Sequence, residues 1–159
     1  CSVFDTFTKG YRPEAQTDAL FSALCSSNGF DAARLRKINT SLVEQAKGKD
    51  LESLKSWLSS HSLKDGSHYS RLMAVGLMSL LKAAAADATG SETEAILNQS
   101  KELAESLGLP SDRVEKDLTL FSSNSERMDQ AVELVNETIA AEKRKKERRL
   151  AEQAQGTSN

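Results

Sequence analysis

The chain has 159 residues, of which 38% are hydrophobic and 28% charged, and its net charge is −2. That suffices for one domain with a real core, while the longest apolar run, Leu72 to Leu81, falls far short of the roughly 18 to 20 residues a membrane span needs. Charge is unevenly placed: residues 143–149 hold six Lys or Arg and one Glu, a net of +5, so the remainder sums to −7.

The chain opens at Cys1, and Ser-Val-Phe-Asp-Thr-Phe reads like the interior of something longer. An N-terminal part and any targeting segment are therefore expected to lie outside this sequence. Cys1 and Cys25 make no C-x-x-C pair, zinc spacing or disulfide framework. Two free thiols suit a reducing compartment, and Cys25, among Leu20, Phe21 and Leu24, reads as helix packing.

Val3 and Phe7 stand four apart, as at the end of a helix, and Gly10 supplies a stop. Pro13 stands where the next helix can start. Leu20, Phe21, Leu24 and Cys25 give that helix one apolar face, closed by Asn28-Gly29. Asp31 is an expected N-cap for a helix whose Leu35, Ile38, Leu42 and Ala46 share a face, with Gly48 at its end. Asp50 caps a shorter helix carrying Leu51, Leu54, Trp57 and Leu58. A turn-rich loop, 61–68, follows.

Residues 69–86 differ. Leu72, Met73, Val75, Leu77, Met78, Leu80 and Leu81 cover nearly the whole circumference, which places this helix at the centre of the protein. Gly76 costs about 1 kcal/mol of helix propensity against Ala, and close approach by a neighbouring helix is the expected return. Arg71 opens the helix, where a guanidinium needs a carboxylate or helix C-terminal carbonyls.

After a connector of small residues, 87–90, Ser91 and Glu94 form a capping box. Their helix carries Ile96, Leu103 and Leu107 on one face and stops at Gly108. Pro110-Ser111 begins the last helix. From Leu118 its stripe runs Phe121, Ser125, Met128, Val132, Val135 and Ile139, spaced as heptads, and stops there. Ser123 and Glu126 make a second capping box, but the register survives across it, so the spacing predicts one continuous helix. Ser111 to Leu150 would then be about 60 Å long, against a body about 35 Å across, from a radius of gyration near 13 Å. The apolar-free end must project. Its Glu142–Lys146 spacing is that of a favourable i,i+4 pair. The reading is thus all-α: a compact multi-helix bundle in residues 1–121, with a protruding C-terminal helix in 122–159 that carries the basic run and ends disordered.

Catalytic constellations are missing from the sequence: there is no G-x-S-x-G, Walker A, G-x-G-x-x-G or H-E-x-x-H pattern. His61 and His68 share one loop with Asp65 and read as solvated residues rather than a metal site. Ser67-His68 are chain neighbours, which is not the geometry of a nucleophile and its base. Three Asn-x-Ser/Thr matches fall inside predicted helices and are chance. No enzyme activity, catalytic residue, cofactor or metal is expected.

Two stretches, GYRPEAQTDALFSAL (10–24) and HYSRLMAVGLMSLL (68–81), resemble the thylakoid formation family, also known as photosystem II biogenesis proteins. Its patterns, near G-Y-x(6)-D-A-[IL]-F-x-A and Y-S-R-x-x-A-V-G-L, fall on Tyr11, Asp18 and Phe21, and on Tyr69, Ser70, Arg71 and Gly76. Leu54 and Trp57 match part of its L-E-E-W stretch, and Val114, Asp117 and Leu118 match the V-x-x-D-L that opens its final helix. The family's further helical region, with an R-P-I-N-like motif, would precede residue 1. The resemblance implies an all-helical, non-enzymatic protein that supports photosystem II assembly and repair. It also implies association with the membrane-bound FtsH-type AAA+ protease and with photosystem II components. The implied place is the chloroplast, in the stroma and at the thylakoid surface, in preference to a cyanobacterial thylakoid.

The candidate partner surface is the basic run Lys143, Arg144, Lys145, Lys146, Arg148 and Arg149, a docking arm for protein. Attachment to an anionic membrane surface is a competing reading, with Leu150 alone as a bulky apolar group in the run. Nucleic-acid binding is disfavoured, because the run has no aromatic for stacking and the body is acidic.

Overall fold

The computed structural model describes residues 1–60, 68–85 and 93–156, and among them every regular element is helical. In chain order these are α1 (Ser2–Phe7), a short 3-10 turn (Glu14–Gln16), α2 (Thr17–Ser27), α3 (Ala32–Ala46), α4 (Leu51–Ser60), α5 (Arg71–Ala84), α6 (Thr93–Ser106) and α7 (Ser111–Gly156). Ser91 of the expected capping box, the 87–90 connector, and His61, Asp65 and Ser67 lie outside the described residues.

The helix starts follow local chemistry. The Asp31 carboxylate accepts from the Arg34 N–H at 2.7 Å, and that of Asp50 from the Ser53 N–H at 2.8 Å. Each satisfies a donor the helix itself cannot. The Ser53 bonds hold the Asp50 carboxyl below its ordinary pKa. Pro13 differs from its expected role: it precedes the 3-10 turn, and α2 begins only at Thr17. At the other end of α6, Gly108 adopts φ +70°. That left-handed geometry lets the Leu109 N–H return to the Ala104 carbonyl at 2.9 Å.

α5 is the central helix, and it divides the core in two. One face sends Ala74, Val75 and Met78 against Ile96, Ala104, Val114 and Leu118 of α6 and α7. The other sends Leu77 and Leu81 against Ala46, Leu54 and Leu103. Leu54, Leu103 and Leu118 are fully buried, each worth about 1.5–3 kcal/mol in transfer terms. The nearly complete apolar circumference is not fully covered: Leu72 faces solvent. Buried Ser100 is satisfied within its own helix, donating to the Ile96 carbonyl at 2.7 Å.

Two amphipathic faces are covered less than their spacing predicts. On α2, Phe21 and Cys25 are buried, but Leu20 and Leu24 are 39% and 52% exposed. On α3, Ala46 is buried while Ile38 and Leu42 remain exposed. The cause is the number of neighbours: α2 packs chiefly on α3 and the 3-10 turn, which can cover one flank of a helix and not a full stripe.

Gly76 also departs from expectation. A Cβ at this position would meet nothing within 4 Å, so no helix approaches it closely. It lines an open apolar groove of about 670 Å³ with Leu42, Val43, Leu58, Met73 and Leu80. The glycine with the close approach is Gly10, whose Cβ would lie 2.8 Å from Val132 Cγ2 on α7.

α7 is a single helix of 46 residues through the Ser-rich stretch, about 69 Å long at 1.5 Å per residue. Residues 121–125 are half-buried, so small side chains suit the contact there, although the buried Ser122 hydroxyl finds no partner.

Candidate functional site: a cationic arm and the α5–α7 junction

The arm is defined by where burial ends on α7. Leu118 is buried, and Phe121, Ser125, Met128 and Val132 are half-buried. From Glu133 to Gln153 every described residue is exposed, Val135 and Ile139 included at 46% and 48%. The first part of the heptad stripe packs on the body, and the last two members face solvent.

The N-terminal segment holds the root of this helix. Phe7 meets Phe121 edge-to-face at 5.8 Å, Lys9 pairs with Asp129 at 2.7 Å, and Gly10 abuts Val132. Arg12 donates to the Asn136 side-chain carbonyl at 3.2 Å. Together these contacts run up α7 from residue 121 to residue 136. Beyond them the helix stands alone.

All six predicted arm cations are exposed. Arg144, Lys145, Arg148 and Arg149 share one face, lining a shallow depression with Ala141 and Glu152, and Lys143 and Lys146 lie outside it. The expected Glu142–Lys146 pair does not form, and none of the six cations has a carboxylate within 4.0 Å among the described residues. Arg144 Nε donates to the Ala140 carbonyl at 3.3 Å. A helix carrying unneutralised charge on all sides attracts an anionic surface at range and loses that attraction in salt.

The second assembly gathers residues from two separated motifs. Tyr69 donates its hydroxyl to Asp117 Oδ2 at 2.8 Å, and Arg71 Nε meets Asp117 Oδ1 at 3.0 Å. Ser70 is the N-cap of α5, accepting from the Met73 N–H. Burial, then the Asp117 carboxylate, pushes the Tyr69 hydroxyl up to about 12. Arg71 finds the carboxylate it was expected to need, but its side chain is 75% exposed, so this is a surface fork over a mostly buried acid.

The other motif residues lie elsewhere. Phe21 packs against Phe4 in a tilted pair at 5.0 Å, with the Arg36 guanidinium 4.1 Å from the Phe21 ring centre, and Arg36 is tied to Asp5 at 2.7 Å. Asp18 is exposed in the first turn of α2, where negative charge complements the helix dipole. Tyr11 sits at the surface of the N-terminal segment. Sequence reading missed the Arg36 stack and the Lys9–Asp129 brace, whose partners lie too far apart in the chain to make a local pattern. Among the described residues no group of three His, Cys, Asp or Glu could hold a metal ion, and no helix is long and apolar enough to cross a membrane.

These features define an all-helical protein with a packed body and a projecting cationic helix. The sequence model of the family described as Thylakoid formation protein matches residues 1–150, and the chain belongs to that family. It is 86% identical over 159 residues to Protein Thf1 of Synechococcus sp. (strain CC9605), covering all of this chain and 74% of that one. With Protein Thf1 of Parasynechococcus marenigrum (strain WH8102) it shares 53% identity over 99% of this chain and 73% of the relative. A solved structure, that of Psb29 at 1.55 Å, superposes with a TM-score of 0.75 at 30% identity, covering 91% of this chain and 72% of the other.

Proposed function

We propose that the protein is a non-enzymatic adaptor for photosystem II biogenesis and repair and for thylakoid formation, acting through association with the thylakoid FtsH-type AAA+ protease. Membership of the thylakoid formation family supports the setting. The strongest support for a docking role is the arm, a helix exposed from Glu133 to Gln153 that carries six cations with no carboxylate partner among the described residues. Such an element adds nothing to its own core, and its charge suits an acidic protein face. The 86% relative is from Synechococcus, which supports a cyanobacterial thylakoid as the place of work over the chloroplast expected above.

Pull-down from solubilised thylakoids tests this with Lys143, Arg144, Lys145, Lys146, Arg148 and Arg149 all changed to Gln. Recovery of the protease should fall several-fold while the melting temperature of the body stays put. Unchanged recovery removes the arm from the interaction.

A second reading has its own support. Leu134, Val135, Ile139 and Leu150 are exposed beside the cations, and each Lys or Arg near an anionic bilayer contributes about 1 kcal/mol. Flotation with phosphatidylglycerol-containing vesicles at two ionic strengths separates it from protein docking.

A further inference from the structure

We propose that the recess between the start of α5 and the first turns of α7 binds a phosphate-type dianion, either the free ion or a phosphate monoester. The recess has a volume of about 500 Å³ and is lined by Tyr69, Ser70, Arg71, Arg113, Lys116 and Asp117. Three cations face one carboxylate there, a net of +2.

Asp117 would oppose an anion if its charge were free, and it is not. Its two oxygens are engaged by the Tyr69 hydroxyl and by Arg71 Nε. The same contact fixes the Arg71 guanidinium by its inner nitrogen. Its side chain is 75% exposed, and among the described residues Asp117 is the one carboxylate it pairs with. An arginine fork held in this way is preorganised for oxyanion recognition.

Arg113 and Lys116 come from successive turns of α7, and neither forms an ion pair among the described residues. The start of α5 adds backbone donors. Ser70 takes up the Met73 and Ala74 N–H groups, which leaves those of Arg71 and Leu72 free of helical partners. Donors arriving from two helices and three cations match a tetrahedral dianion better than a planar monoanion. The open mouth leaves room for the rest of an ester to extend into solvent.

The test uses the full chain, with amide NMR shifts of Arg71 and Leu72 followed during titration at constant ionic strength. Inorganic phosphate is the first probe and glycerol 3-phosphate the second. Saturable shifts with both assign the site to the phosphate group itself, and saturation with glycerol 3-phosphate alone assigns it to monoesters. Arg113 and Lys116 are exposed, so the variant Arg113→Gln with Lys116→Gln should keep its melting temperature. Losing two charge-assisted contacts should weaken binding by roughly a hundredfold, and Arg144→Gln with Arg148→Gln should leave it unchanged. Shifts that grow without saturating, or that weaken equally in both double variants, overturn the proposal.

Discussion

Tyr69 and Asp117, 48 positions apart in the chain, meet at 2.8 Å. That hydrogen bond ties the segment entering the central helix α5 to α7, the helix that carries the arm. Arg71 grips the other oxygen of the same carboxylate. Replacing Tyr69 by Phe removes one bond and leaves the acid its guanidinium, at a cost of about 1 kcal/mol. Asp117→Ala removes both partners' acceptor and leaves the Tyr69 hydroxyl unmatched, costing about 2–3 kcal/mol. Urea denaturation followed by circular dichroism measures both, and equal losses for the two variants would refute this division.

The same bond has a pH signature. The Tyr69 hydroxyl is raised in the folded protein to about 12 from an ordinary value of 10.0. The folded state therefore holds the proton more tightly than the unfolded chain. Its contribution is fully present below about pH 10 and is lost as pH rises toward 12. Lys55 and Lys101 are also raised, by their carboxylate partners Glu102 and Glu115 first, so they lose stability in overlapping alkaline conditions. The informative quantity is the difference between wild type and Tyr69→Phe, which should shrink between pH 10 and 12 and stay flat from pH 6 to 9.

Two glycines should respond to alanine in opposite directions. At Gly10 the new Cβ would lie 2.8 Å from Val132 Cγ2, and valine is stiff at χ1. Gly10→Ala should therefore destabilise by about 1–3 kcal/mol, with partial recovery when Val132→Ala is added. A double-mutant cycle showing no coupling would disprove the contact.

Gly76→Ala meets open space and exchanges a poor helix former for the best one. It should stabilise by roughly 0.5–1 kcal/mol. A loss of stability in a thermal melt would mean that something does pack there.

Much of the fold was legible because its signals are local. Asp31 and Asp50 announce helix starts through a side chain that reaches a nearby N–H, and Gly108 announces a stop through its own backbone. The apolar circumference of α5 could be read because this central helix packs on α1, α3, α6 and α7 at once. Coverage of an outer helix cannot be read in this way. Leu20 and Leu24 have the spacing of a buried face, yet they stay partly exposed. For Gly76 and Gly10 the missing information was which helix passes nearby, a tertiary fact that propensity does not carry. The projection of the arm followed from a length mismatch, whereas the meeting of Tyr69 and Arg71 with Asp117 needed two remote segments placed side by side.

If the arm is mechanically separate from the body, breaking its helix should leave the core intact. Proline in a helix interior removes a hydrogen bond and clashes with the preceding turn, at about 3 kcal/mol or more. At Ala141 that penalty falls on a segment where every described residue is exposed and which lies beyond the last brace, Arg12 to Asn136. Ala141→Pro should lower helical content and shorten the maximum dimension in small-angle scattering, while the cooperative melt of the body keeps its midpoint. Ser122→Pro places the same defect in the half-buried stretch next to Phe121, which packs on Phe7, so it should lower the midpoint by many degrees or prevent folding. The contrast between the two sites is the measurement. A body that melts early with Ala141→Pro would show that the arm supports the core, and its cations would then no longer stand on an independent docking element.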